Sequence, residues 1–196
     1  LPDADNIYQN DASAASTLST HEPLYELIKD CIANNRRAQK QLYDAYAPLI
    51  YGIIKRYTYN RVEADEIVND SFYKIFTSLH SFAFKGSFEG WMRRITINCI
   101  TDNFRKHIKK EPAHKVEIEQ ADYSMAEDVM GKMGYKELLG KIHELPDTQR
   151  TVFNLYVFEQ LSHKEIGDHL SITENNSRWY LNDARKRLKE KINSMH

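Results

Sequence analysis

The chain has 196 residues, 41% hydrophobic and 28% charged, with a formal net charge of −1. Its two cysteines exclude a disulfide scaffold, no run nears the roughly 20 apolar residues that cross a bilayer, and the first residues lack the basic-then-apolar order of a secretory signal. These features point to a soluble, cytoplasmic protein of one medium or two small domains, at about 100–200 residues per domain.

Residues 1–21 hold three acids, no Lys or Arg and no apolar periodicity, which predicts a flexible leader. Helical spacing then begins. Leu24, Leu27, Ile28, Cys31 and Ile32 recur as one stripe. A second stripe runs from about Arg36 to Thr58 through Leu42, Ala45, Tyr46, Leu49, Ile53 and Ile54, with a kink expected at Pro48. A third runs from Val62 to about Leu79 through Ile67, Val68, Phe72, Ile75 and Phe76. The segment SFAFKGSFEG (81–90) reads as a loop, and Ser87 as the N-cap of a long helix carrying Trp91, Ile95, Asn98, Cys99 and Asp102. Residues 112–134 contain Pro112, alternating acids and no stripe, and read as a linker.

Helices resume at Leu138, Leu139 and Ile142, break at Leu145-Pro146, and continue through Val152, Phe153, Leu155, Tyr156 and Phe158. Ser162-His163-Lys164-Glu165 has the form of a capping box and opens a short helix with Ile166 and Leu170. Thr173 then caps a helix bearing Leu181, Ala184, Leu188 and Ile192. A short capped helix, a tight turn and a longer basic helix make a helix-turn-helix. With no alternating segments and no internal repeat, the expected fold class is all-α.

The charge is unevenly spread. Residues 93–110 carry six basic side chains against Asp102, and residues 178–191 carry six against Asp183 and Glu190. Charge alone leaves two readings open: ordinary solvated helix faces, or two basic feet on a polyanion.

Four strings break that tie. SFEGWMRRITINCITDNFRK (87–106) carries Trp91, Ile95, Asn98, Asp102 and Arg105 at the spacing W-(x3)-I-(x2)-N-(x3)-D-(x2)-R. ADEIVNDSFYKIF (64–76) precedes it; LPDTQRTVFNL (145–155) and LSHKEIGDHLSIT (161–173) follow across the acidic spacer. In this order they resemble bacterial RNA polymerase sigma factors of the extracytoplasmic-function (ECF) group of the sigma-70 family. The resemblance implies two small helical domains, a region 2 bundle (22–111) and a region 4 helix-turn-helix (135–196), joined by a flexible linker. It implies core RNA polymerase, through its β and β′ subunits, and promoter DNA as partners. An anti-sigma factor and an additional recruiting protein are further candidates, and direct membrane contact is not expected.

By the same resemblance, Asp65, Glu66, Asn69 and Asp70 form an acidic outer face for the polymerase clamp, with Ile67, Val68, Phe72 and Ile75 turned to the core. The −10 element would be opened and held by Phe82, Phe84, Lys85, Arg93, Arg94, Asn98, Arg105 and Lys106. Aromatic surfaces stack on unstacked bases and cations hold phosphates, so these residue types suit the task. Phe82 and Phe88 have a second reading as core anchors, whereas Phe84 and Lys85 sit at the loop apex.

The −35 element would be read by Lys164, Asn175, Asn176, Ser177, Arg178, Trp179, Tyr180, Asn182, Arg185 and Lys186. Here the sequence departs from the small and basic residues common in relatives. Asn175 and Asn176 suit adenine edges, and Arg178 suits guanine or phosphate. Trp179 and Tyr180 suit sugar or thymine methyl, or a protein. The cluster RKRLKEK (185–191) suits phosphate or plain solvation.

The expected function is therefore promoter recognition as a polymerase subunit. Two alternatives stand beside it: a stand-alone helix-turn-helix regulator, which leaves residues 64–106 unexplained, and a sigma factor recruited by an additional DNA-targeting partner. An enzyme is the alternative of a different class. No HExxH pair, nucleophile string or glycine-rich phosphate loop appears, and His163 and His169 miss the i,i+4 spacing of paired ligands. No catalytic residue, metal or cofactor is expected.

Overall fold

The computed structural model describes residues 23–108 and 135–193; the expected leader (1–21) and linker (112–134) lie outside the described residues. Among the described residues all regular secondary structure is helical. The first half comprises α1 (23–32), α2 (Arg36–Ile54), α3 (Arg61–Ser78), a 3-10 turn at Leu79–Ser81 and α4 (Phe88–Ile108). The second comprises α5 (Tyr135–His143), α6 (Asp147–Val157), α7 (His163–Leu170) and α8 (Glu174–Asn193).

Polar caps set the starts of these helices. Asn35 accepts from Arg37 N and Ala38 N, and Asn60 from Val62 N and Glu63 N. Each satisfies amides that the first turn leaves without partners. Ser87 Oγ accepts from Gly90 N at 3.2 Å, and α4 begins at Phe88. The capping box is formed in both directions between Ser162 and Glu165, and Thr173 Oγ1 accepts from Asn176 N at 3.1 Å. Pro48 lies inside α2, which continues past it to Ile54.

Burial follows most of each helical stripe, although Ile32, Ala45 and Val62, which the spacing assigned to stripes, are exposed. Leu42, Ile50 and Ile54 of α2, Ile67 and Ile75 of α3 and Met92 of α4 centre the first core. Ile142, Val152, Leu155, Ile166, Leu181 and Leu188 centre the second, and the two join in one connected cluster. At about 1.5–3 kcal/mol for each fully buried large aliphatic side chain, these stripes are the main stabilising term in both halves. Cys31 and Cys99 are free and buried. Burial, with Asp30 adding to it, pushes the Cys31 thiol up to about 11; burial also raises Cys99. Both are inert core thiols at neutral pH.

The turn between α7 and α8 fixes the helix-turn-helix. Ser171 takes the left-handed conformation at φ 57° and its N–H bonds Gly167 O. The chain then passes so close to α7 that a Cβ on Gly167 would lie 2.8 Å from the Ile172 carbonyl oxygen. Backbone on the far side cannot give as a flexible side chain would. Gly167→Ala is therefore expected to destabilise the chain by about 1–3 kcal/mol in urea unfolding. Gly140→Ala, on a helix with nothing within 4 Å, is expected to be neutral or stabilising. Equal effects from the two would refute this account of the turn.

The two halves touch. Helix α4 packs against α7, and the end of α2 is held by side chains from the second half. Arg150 Nε donates to Tyr57 O at 2.8 Å, Asn154 Nδ2 to Arg56 O at 2.6 Å, and His143 Nε2 to Lys55 O at 2.6 Å. Among the described residues no helix is long and apolar enough to cross a membrane, and no group of three or more His, Cys, Asp or Glu gathers as a metal site.

Candidate functional site

Three surfaces carry the residues singled out from the sequence. On α3, Asp65, Glu66, Asn69 and Asp70 are all exposed, with Ile67, Val68, Phe72 and Ile75 buried behind them. Arg61 lies 3.9 Å from Asp65, but both side chains are well solvated and the pair contributes little. Two apolar side chains share this outer surface: Val62 is 77% exposed and Tyr73 71% exposed. Val62, read from the sequence as the start of the α3 stripe, turns out to lie off the buried face, and Tyr73 had no assigned role. The available signal is their spacing, since 62, 66, 69 and 73 follow i, i+4, i+7 and i+11 on the side opposite the core stripe. An acidic strip with an exposed apolar residue at each end fits a protein partner better than solvent alone.

The second surface is built on the loop before α4. Phe82 was expected on DNA, but it is buried among Phe88 and Trp91, with ring centroids 5.1 and 5.5 Å away. Its aromatic area anchors the loop to the core and is not available for base stacking. Phe84 differs: it is 42% exposed, at φ 56°, with Gly86 at φ 98° completing the turn. A left-handed conformation at a bulky residue is uncommon and strained. Here it turns the ring outward against Tyr25 of α1, 5.1 Å away. Tyr25, itself 47% exposed, extends the aromatic surface across elements, which local sequence rules did not reveal. Lys85, Arg94, Asn98 and Lys106 are exposed.

Arg93 and Arg105 are engaged within the chain. Arg93 is ion-paired to Glu159. Arg105 pairs with Asp102 and donates from Nη1 to His169 O of α7 at 3.2 Å. Lys74 Nζ lies 2.8 Å from the other oxygen of Asp102. Burial alone would raise Asp102, but the Lys74 bond and the Lys74 and Arg105 charges outweigh it and hold the carboxyl below its usual range. Asp70, Lys74, Asp102, Arg105, Lys106 and Ser171 line an open cleft of ≈ 730 Å³ where α3, α4 and the helix-turn-helix meet.

The third surface is the first turns of α8. Asn175 and Lys186 are exposed, as is Lys164 on α7, while Asn176, Asn182 and Arg185 are half-buried. Arg178 is ion-paired to Glu174. Trp179 and Tyr180 are partly exposed and meet edge to face at 5.1 Å. Arg185 lies over the Tyr156 ring at 5.5 Å. Ser177, expected to contact DNA, is fully buried, and its hydroxyl pairs with His163 Nδ1 at 3.0 Å. It holds the recognition helix from behind and offers nothing to a base.

His163 is 7% exposed, stacked on Tyr156 at 4.8 Å, and bridges the start of α7 to the first turn of α8. Burial, reinforced by the Arg178 charge, holds its imidazole below the usual histidine range. The unfolded chain therefore takes up a proton at higher pH than the folded one. Stability is highest above about pH 6.5, the ordinary histidine value, and is lost as pH falls from there through the depressed folded value. His163→Asn keeps a hydrogen-bonding group near Nδ1 and cannot titrate. Its urea midpoint is expected to fall less than that of the parent chain between pH 7.5 and pH 5.5, and an identical fall would refute the assignment.

With these surfaces in view, comparison with known proteins gives the family. Residues 42–109 match the family Sigma-70 region 2 and residues 135–188 match Sigma-70, region 4, together more than half of the chain. The chain belongs to the sigma-70 family. Its relatives place it in the ECF group. The ECF RNA polymerase sigma factor SigM of Bacillus subtilis is 26% identical over 170 residues, covering 78% of this chain and 94% of the relative. SigW of the same organism is 26% identical over 182 residues, covering 86% and 96%. The RNA polymerase sigma-H factor of Pseudomonas aeruginosa is 25% identical over 158 residues, covering 75% and 82%. A solved structure of the sigma factor RpoE with the anti-sigma factor NepR, from Bartonella quintana, is similar at a TM-score of 0.47 and 18% identity, covering 79% of this chain and 96% of that one. This sigma factor thus belongs to proteins that direct RNA polymerase to promoters, and such factors are generally not enzymes.

Proposed function

We propose that the three surfaces divide the work of promoter recognition. The outer face of α3 docks on core polymerase, the loop before α4 with the outer residues of α4 captures the −10 element, and the first turns of α8 read the −35 element. The observation that carries this reading is the separation on α3: Asp65, Glu66, Asn69 and Asp70 are solvated while the apolar half of the same helix is buried. An acidic face without a structural duty suits a cationic partner. Work on polymerase and DNA implies a cytoplasmic protein that acts without a cofactor of its own.

Charge reversal tests the docking face. Glu66→Lys with Asp70→Lys is expected to weaken association with core polymerase by about 2–5 kcal/mol. Helicity should not change, because both positions are exposed. Co-elution of the double variant with core enzyme at the parent level would remove α3 from the interface.

The loop is tested separately. Phe84→Ala with Lys85→Ala is expected to leave polymerase association unchanged and to reduce open complex on duplex promoters about tenfold or more, since stacking is worth about 1–3 kcal/mol per base. A template with a pre-melted −10 region should largely restore transcription. Parent-level opening on duplex DNA would exclude the loop apex as the base-capture site.

A further inference from the structure

Among the described residues, the ion pairs that cross between the two halves of this sigma factor converge on one carboxylate. Glu159 follows Phe158, the C-cap of α6, and precedes Gln160, whose φ of 57° turns the chain back toward α7. Its side chain is 5% exposed. Oε1 accepts from Arg56 Nη2 at 3.2 Å and from Arg93 Nη2 at 3.0 Å, and Oε2 accepts from Arg93 Nε at 2.5 Å. Arg93 Nη2 also donates to the Phe158 carbonyl at 3.0 Å, and the Arg56 guanidinium lies over the Phe158 ring at 5.0 Å. Two guanidiniums offering three N–H groups to a pair of anionic oxygens is the arrangement that arginines also use to hold a phosphate.

We propose that Arg56 and Arg93 form a DNA-phosphate site, and that Glu159 fills that site in the closed chain as a substitute for phosphate, so that DNA and Glu159 compete for the same two arginines. The proposal rests on the promoter-binding reading above and adds a site to it, since Arg56 had no assigned role. Placement, distance and charge support it. Arg93 lies on α4 next to Arg94, five residues before Asn98 and within the segment proposed to bind the −10 element.

The second is distance. The −10 and −35 elements lie about 25 base pairs apart, roughly 85 Å at ~3.4 Å per pair. A chain whose halves touch through Glu159 cannot occupy both elements at once. Residues 109–134 reach roughly 90 Å when fully extended, at ~3.3–3.6 Å each, so the connection permits the halves to part. The third is charge. The contacts of His143, Arg150 and Asn154 with the end of α2 end on carbonyl oxygens, which water can satisfy on opening. Parting Glu159 leaves two cations without their counter-ion, and a polyanion is the partner that compensates them.

Glu159→Gln in the full-length chain tests this directly. A fluorescein-labelled single-stranded DNA serves as the phosphate source, and a dye pair at Gln41→Cys and Glu190→Cys, both exposed positions, reports the distance between halves. The variant is expected to bind the DNA at least about tenfold more tightly without polymerase. Its log K against log salt should steepen by about 1.4, the value for two further phosphates on a single strand at ~0.7 each. The dye pair should report separation, and adding Arg56→Gln with Arg93→Gln should abolish the gain in binding. Separated halves with unchanged DNA binding would overturn the phosphate site, and unseparated halves would overturn Glu159 as the closure. Should the variant fail to fold, the dye-labelled parent chain still decides. Titration with the DNA should separate its halves, and DNA binding with no change in dye distance would overturn the proposal. Polymerase association through α3 is measured independently, so failure of the promoter-binding reading there is distinguishable from failure here.

Discussion

Arg150 is the group on which the arrangement of the chain depends. Its guanidinium is almost wholly buried, a position that is costly for a cation unless its N–H groups find acceptors. It finds them in three places. Nη1 donates to His143 O and Leu145 O at the end of α5, Nη2 pairs with Asp147 at the start of α6, and Nε crosses to Tyr57 O past the end of α2. One side chain thereby sets the corner between α5 and α6 and joins that corner to the first half. Asn154 and His143 complete the set by taking the neighbouring carbonyls of Arg56 and Lys55. The spacing from Leu145-Pro146 to Arg150, prominent in the sequence, is the distance from a broken helix end to the next turn of helix that can reach back to cover it.

Much of this architecture was legible because its rules act over a few residues. Apolar spacing placed the helices, and Ser87, Ser162 and Thr173 announced three of their starts through side chains that reach amides three positions ahead. The two asparagine caps, Asn35 and Asn60, went unnoticed although they obey the same rule. The acidic half of α3 was readable for a similar reason, since one helix periodicity decides which residues are solvated and which are buried.

The errors and omissions arise where a residue's fate is decided far along the chain. Ser177 looked like a contact residue because it sits in the first turn of a recognition helix; it is buried because His163, 14 positions earlier, reaches its hydroxyl. Phe82 was assigned to DNA by the resemblance, with a core anchor as its second reading, and Phe88 and Trp91, six and nine positions on, enclose it. Glu159 gave no signal at all. Its partners lie 103 and 66 positions away, and no local pattern distinguishes it from any other surface acid. The same holds for Tyr25, whose meeting with Phe84 joins two elements with a whole helical hairpin between them.

The buried seam between α7 and α8 also separates two kinds of freedom on the recognition helix. Gly167, His163 and Ser177 fix where that helix lies, whereas Asn175 and Lys186 face outward and take no part in the seam. The outward positions can therefore vary without disturbing the scaffold that presents them. With α8 as the proposed −35 reader, divergence in promoter preference, natural or engineered, has an open path along one side of a single helix, while the opposite side holds that helix at a constant angle.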